Sequence, residues 1–166
     1  MVIKRSSVLL TAALVILGCS ACDRAAKHAA EALRGMPPRE YARGTVVLMY
    51  AENRGAMLSL GAGLPEHARF IVFTAGVGLI LAALAGVLLF ASGLTRMRVV
   101  GLSLIIAGGG NNLFDRLTND GRVVDFVMLG AAGLRTGIFN VADVAILLGA
   151  SLFLMTINRD RTPAGP

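Results

Sequence analysis

Asp115 closes an apolar run, Asp143 opens another, and Asp125 lies between them within residues 107–146. A carboxylate at the edge of hydrocarbon costs on the order of a few kcal/mol, so such acids need a reason to be there. Asn112 stands three residues before Asp115, and Asn140 three before Asp143. At roughly 3.6 residues per helical turn, each amide is expected to share a face with its acid. Two acid–amide pairs at helix ends, with a third acid between them, read as a site.

Two carboxylates within hydrogen-bonding reach do not both ionise comfortably, so the pair shares a proton. The ionised member can take a proton from water while the protonated member polarises a carbonyl. That is hydrolysis of a peptide bond without a metal or a covalent intermediate. Residue type and spacing leave open which two of the three acids pair. Other chemistries lack their residues. His28 and His67 fall outside the acidic segments and show no HxxxH spacing, so no metal set and no cofactor is expected. No Ser or Cys has a His beside it, and Ser59 and Ser103 have no base in sequence reach. Cys19 and Cys22 form a CxxC inside an apolar helix without a second pair, and are read as small buried hydrophobes.

The elements that position these acids are membrane elements. The 166 residues are 55% hydrophobic and 16% charged, with mean hydropathy +0.71. The +6 formal charge is scattered and aromatics are only 5%, so no nucleic-acid partner is expected. Residues 70–95 contain no charge, which leaves room for the ~20 residues that cross ~30 Å. Four spans are expected, at about residues 8–28, 69–92, 98–115 and 138–158. The first begins after Lys4 and Arg5 and reads, alternatively, as a cleaved signal segment. Its continuation to Asp23 and Lys27, an i,i+4 ion pair, favours a retained helix. Residues 29–68 and 116–137 form the extramembrane parts. Strands are expected at 45–51 and 122–128, with a return strand at 56–60 and a loop at 130–137. The fold class is thus mainly α, four transmembrane helices with a small β-rich subdomain in one membrane-integral domain.

Charge orients the chain. With both termini and the Arg96/Arg98 turn in the cytoplasm, the inner segments carry six basic residues and one acid, Asp160. The outer segments then hold ten basic residues and nine acids. Three of the four spans put an acid roughly 24 to 27 Å from a cytoplasmic Arg: Asp23 from Arg5, Asp115 from Arg98, Asp143 from Arg159. All three acids therefore reach one level near the outer edge of the bilayer, to which Asp125 can fold down.

On these residues the chain resembles the lipoprotein signal peptidase family (signal peptidase II), four-span aspartyl proteases of the bacterial inner membrane. Residues 139–146, FNVADVAI, are similar to the family's FNxADxxI segment, and residues 123–126 to its VVDF. Asn112-Leu113-Phe114-Asp115-Arg116 resembles NLxDR, Asn53-Arg54-Gly55-Ala56 resembles NxGA, and Asp23 with Lys27 resembles DQxTK. The resemblance implies Asp125 and Asp143 as the catalytic pair. It implies Asn53, Gly55, Asn112, Arg116 and Asn140 at the substrate. Asp23, Lys27 and Asp115 would be supports, Asp115 holding the Arg beside it. The implied partners are lipid-modified prolipoproteins and membrane lipids, the implied state a monomer. The family's Gln becomes Arg24 and its Thr Ala26, Asn111 replaces a Gly, the GG pair shifts to 108–110, and Met57 and Leu58 depart from a small-then-aromatic pair. The rival readings are a retuned or inactive family member and a small ion- or proton-coupled transporter. A transporter needs an acid near the bilayer midplane, where all four spans are uncharged.

Overall fold

The computed structural model describes residues 4–56, 60–131 and 134–161, with side chains through Thr156. Helix α1 (Arg5–Ala30) starts where the basic residues give way to apolar ones and ends with Lys27 and His28 in its last turn, complementing the dipole. A single 3-10 turn (Glu31–Leu33) stops it ahead of Pro37-Pro38. Two short strands follow, β1 (Arg39–Tyr41) and β2 (Val46–Asn53). Helix α2 (Glu66–Phe90) starts after Pro65 and is widened to a π-helix over Phe70–Gly76. Helix α3 (Arg96–Thr118) is capped by Thr95, whose hydroxyl accepts the Arg98 N–H at 3.3 Å. Strands β3 (Val123–Ala131) and β4 (Leu134–Arg135) lead into helix α4 (Val141–Arg161).

The strands form one antiparallel sheet in chain order. Its register pairs Leu48 with Val127, then, after a one-residue bulge in β2, Ala51 with Asp125 and Asn53 with Val123. β2 takes its partner from the distant segment β3, and the return strand expected at 56–60 falls mostly on residues 57–59, outside the described residues. One sequence expectation changes here. The expected loop 130–137 also contains β4, paired to the end of β3. Residues 57–59, with Met57, Leu58 and Ser59, lie outside the described residues, as do the side chains of Arg159 and Asp160.

Helix α3 is the hub, packed against all three other helices. Glycine lets it approach α4: a Cβ on Gly149 would stand 2.6 Å from the Gly101 carbonyl oxygen, and one on Gly108 would strike the Ala142 carbonyl. Val8, Ala12, Leu88, Leu94, Val99 and Leu102 fill the core at the end away from the acids. The outer faces are apolar: Leu14, Leu17, Leu79, Ile80, Leu147 and Leu154 are all exposed. Such a surface suits lipid. Two helices, Arg5–Leu33 and Glu66–Phe90, are by themselves long and apolar enough to cross a membrane. Cys22 is exposed on the α1 surface and Cys19 only half-buried, so the expectation of two buried thiols is corrected.

Candidate active site

The site is assembled at the start of α4. Asn140 precedes the helix, its side-chain oxygen accepting the Asp143 N–H at 2.9 Å while Asp143 Oδ2 accepts the Asn140 N–H at 3.2 Å. This is a reciprocal cap with Asp in the place usually taken by Glu or Gln. The Asn140–Asp143 spacing is therefore that of a helix cap, not of a shared helical face as expected. The next free amide, that of Ala142, donates to Asp23 Oδ1 at 2.9 Å. Asp23, fully buried on α1, thus completes the cap of α4.

Asp125 reaches the same place from the sheet. Val127 pairs with Phe139 through N–H···O bonds of 2.8 and 3.0 Å, which lays Asn140 beside β3. Asp125 lies two residues before Val127 and opposite Ala51, so Asn53, two further along β2, is on its face. Asn140 Nδ2 donates to Asp125 Oδ1 at 2.7 Å, and Asn53 Nδ2 to Oδ2 at 3.0 Å. Asn112 Nδ2, from α3, donates to Asp143 Oδ1 at 2.8 Å. Each of the four carboxylate oxygens of Asp125 and Asp143 therefore receives one N–H.

The orientations of the three amides are not free choices. Asn140 and Asn53 each turn their oxygen to a backbone N–H, that of Asp143 and that of Gly55 at 2.9 Å. Asn112 turns its oxygen to the Lys27 ammonium at 3.1 Å. All three partners can only donate, so all three NH2 groups are left facing carboxylates. Asp125 is 2% exposed. Burial pushes its carboxyl up to about 6, with the Asp143 charge adding to the rise and the Asn53 and Asn140 amides opposing it.

Around this centre lies a ring of ion pairs. Lys27 bridges Asp23 Oδ2 at 3.0 Å and Asp115 Oδ2 at 2.7 Å, all three side chains being nearly sealed from solvent. Asp115 also pairs with Arg24, which stacks over Phe114. It does not hold Arg116: successive residues on a helix point about 100° apart, and Arg116 turns away. Arg116 donates instead to the Gly55 carbonyl at 2.8 Å and lies over the Phe73 ring in the π-helical stretch. Asn112 and Asp115 do share a face, joined through Lys27 and not to each other.

Sequence reasoning singled out Asp23, Asn53, Gly55, Asn112, Arg116, Asp125, Asn140 and Asp143, and the structure draws all of them together. It missed the role of Arg24, which reads as a lost amide in one dimension and becomes a partner of Asp115 only when α1 packs on α3. It also missed Glu52, which takes hydrogen bonds from Arg122 at 2.6 Å, Arg34 at 2.9 Å and Tyr50 at 3.1 Å. The Arg122 bond, first among these, holds the Glu52 carboxyl below its usual range. No sequence spacing signals this cluster, because it joins three segments. Among the described residues no group of three or more His, Cys, Asp or Glu is placed to hold a metal ion. Beside Asp125 a cleft opens between Ala51 and Asn53 on one side and Thr136 and Ile138 on the other.

The profile of the family described as signal peptidase (SPase) II matches residues 15–159. A lipoprotein signal peptidase of Treponema denticola is 38% identical over 125 residues, 70% of this chain and 72% of the relative. One from Solibacter usitatus is 32% identical over 117 residues, 70% and 71% of the two chains. A solved structure described as a bacterial membrane enzyme, determined in meso at 2.3 Å resolution, superposes with TM-score 0.76 at 23% identity. It covers 96% of this chain and 92% of its own. A second, at 1.9 Å, gives TM-score 0.68 at 22% identity over 93% and 94%. The likeness to these two is one of fold.

Proposed function

The chain belongs to the signal peptidase II family, proteases that remove signal peptides from prolipoproteins, and on that premise we propose that Asp125 and Asp143 are its catalytic acids. The observation that carries this reading is Asn140: one residue caps the helix bearing Asp143 and donates to Asp125, holding both carboxyls to one point. Asp115, the rival partner, is neutralised by Arg24 and Lys27 and faces α1.

The pair holds one proton. Its ionised member takes a proton from water as the water oxygen bonds to the scissile carbonyl carbon. The protonated member donates to the carbonyl oxygen, giving a neutral tetrahedral diol. That diol then returns one hydroxyl proton to the pair while the pair protonates the leaving nitrogen. The C–N bond breaks, and the signal peptide's carboxyl and the new amino terminus separate. Asn53 and Asn140 steady Asp125, Asn112 steadies Asp143, and Arg116 fixes the Gly55 loop beside Asn53, where substrate backbone would lie. The substrate proposed is a diacylglyceryl-modified prolipoprotein, cut just before the lipidated Cys.

All four helices are proposed to span the bacterial inner membrane, α3 among them although it carries Ser103, Asn111, Asn112 and Asp115. Those polar groups lower its hydropathy but face protein, not lipid: Ser103, Asn111 and Asp115 are buried. Both termini would be cytoplasmic, the sheet and the acids on the outer side, and the enzyme a monomer. Incubating the purified chain with a diacylglyceryl-modified prolipoprotein tests the reading. Release of the intact signal peptide is expected, and a wild-type chain that leaves this substrate whole would refute it.

A further inference from the structure

Lys27 carries a full charge in a site where it touches neither acid of the proposed pair. Its side chain is 5% exposed and the three ammonium hydrogens have three takers: Asp23 Oδ2 at 3.0 Å, Asp115 Oδ2 at 2.7 Å and Asn112 Oδ1 at 3.1 Å. The two carboxylates satisfy the demand for a counter-charge. The third bond is not needed for charge balance, and it is the one that points at the chemistry.

An amide has two ends, and a half-turn about its last torsion exchanges them. Turned one way, Asn112 gives Asp143 Oδ1 an N–H, at 2.8 Å. Turned the other way, it would set a carbonyl oxygen against that carboxylate oxygen. Asp143 does not settle the choice alone: ionised it accepts the N–H, but with the pair's proton on Oδ1 its own O–H can donate to the amide oxygen. Asn140 Nδ2 also reaches Asn112 Oδ1, at 3.1 Å, but its two hydrogens are claimed by three acceptors: Asp125 Oδ1 at 2.7 Å, Val124 O at 3.2 Å and Asn112 itself. The shortest of these is to Asp125, so Asn140 is a weak judge of Asn112. A lysine has no acceptor to offer in either orientation. Its ammonium is therefore the partner that forces the oxygen inward and the NH2 outward.

We propose that Lys27 is a positioning residue for the reaction, acting through Asn112 by dictating which end of that amide faces Asp143. This rests on Asp143 being one of the catalytic acids. The consequence is that Lys27 contributes twice, to folding through Asp23 and Asp115 and to turnover through Asn112, and the two contributions separate.

The test is a double-mutant cycle on the full-length enzyme in detergent micelles or bilayers, reading both kcat for prolipoprotein cleavage and melting temperature. Lys27→Met should lower kcat roughly 100-fold, the scale of losing one aimed donor at a reacting centre, with KM little moved. Asn112→Ala should lose a similar factor. The double variant should be no slower than Asn112→Ala alone, while its melting temperature still falls by the full Lys27→Met decrement. Losses in kcat that multiply would overturn the proposal. If Lys27→Met does not fold, Asn112→Asp decides. An Asp there keeps the bond to Lys27 but offers Asp143 no N–H, so a folded, slow enzyme is expected and one with wild-type kcat overturns the proposal. Asp143→Asn, run alongside, tells the two readings apart. If it is dead while the kcat losses multiply, the acid pair stands and the role of Lys27 falls. If it cleaves normally, the pair and this inference fall together.

Discussion

Asp125 and Asp143 are held as one unit, so replacing either should cost as much as replacing both. On the proposed reading, each of Asp125→Asn and Asp143→Asn removes the shared proton and the base while keeping shape. Each should reduce cleavage to background, and the double variant should be hardly worse than either single one. A second expectation concerns pH. Asp125 has its carboxyl raised from 3.8 to about 6. Below about pH 4 both folded and unfolded chains keep that proton and nothing is lost. Between about pH 4 and 6 the unfolded chain releases its proton first, so the fold loses stability as pH rises through that window. Above it the deficit is constant, on the order of 1–3 kcal/mol. Asp125→Asn cannot show this loss. Its melting temperature relative to wild type should rise between pH 4 and 7, and a flat difference would contradict the raised carboxyl. Much at this scale was legible in the chain: the acids, the asparagines and Arg116 all stand at recognisable spacings. Choosing Asp125 over Asp115 was not legible from spacing. The choice proposed here rests on Arg24 and Lys27 pairing with Asp115, a contact between α1 and α3 that no local pattern encodes.

Helices and strands carry the acids to their places. The approach of α3 to α4 depends on Gly108, since a Cβ there would meet the carbonyl of Ala142, which sits one residue before Asp143. Gly108→Ala should push the first turn of α4 outward. Overpacking of this kind costs about 1–3 kcal/mol. The expected outcome is a lower melting temperature together with a loss of turnover larger than that of a matched Gly→Ala change at Gly110, where an added Cβ meets nothing within 4 Å. Equal effects at the two positions would remove Gly108 from the site's support. The helices were readable because long apolar runs, basic ends and prolines are local signals. The strands over 46–53 and 123–131 were readable from their β-branched content. Their pairing was not: β2 finds β3 across more than 60 residues of chain, and the tie between Val127 and Phe139 that delivers Asn140 leaves no trace in periodicity. The helix-cap role of Asn140 hid behind the same three-residue spacing that suggests a shared helical face.

The molecule as a whole presents leucine outward on α1, α2 and α4 and gathers its buried charges at one end. This inversion suits a bilayer, and the sheet and the acid pair are proposed to lie at one surface of it. If that surface is the outer one, single cysteines introduced into residues 39–53 or 122–131, after Cys19 and Cys22 are replaced, should react with an impermeant thiol reagent in intact cells. Cysteines in the turn at residues 92–96 should react only after lysis, and strong labelling there in intact cells would invert the orientation. The membrane character was legible in hydropathy, while the orientation proposed here rests on the placement of Lys and Arg. That Asp23, Asp115 and the start of the Asp143 helix meet at one end of the helices was legible as well, from the spacing of the acids along the chain. The most direct measurement of the central claim is cleavage of a diacylglyceryl-modified prolipoprotein by three purified proteins: the wild-type chain, Asp125→Asn and Asp143→Asn. Signal-peptide release by the wild type, with none above background from either folded variant, is the predicted result. Cleavage at wild-type rate by either variant would contradict it.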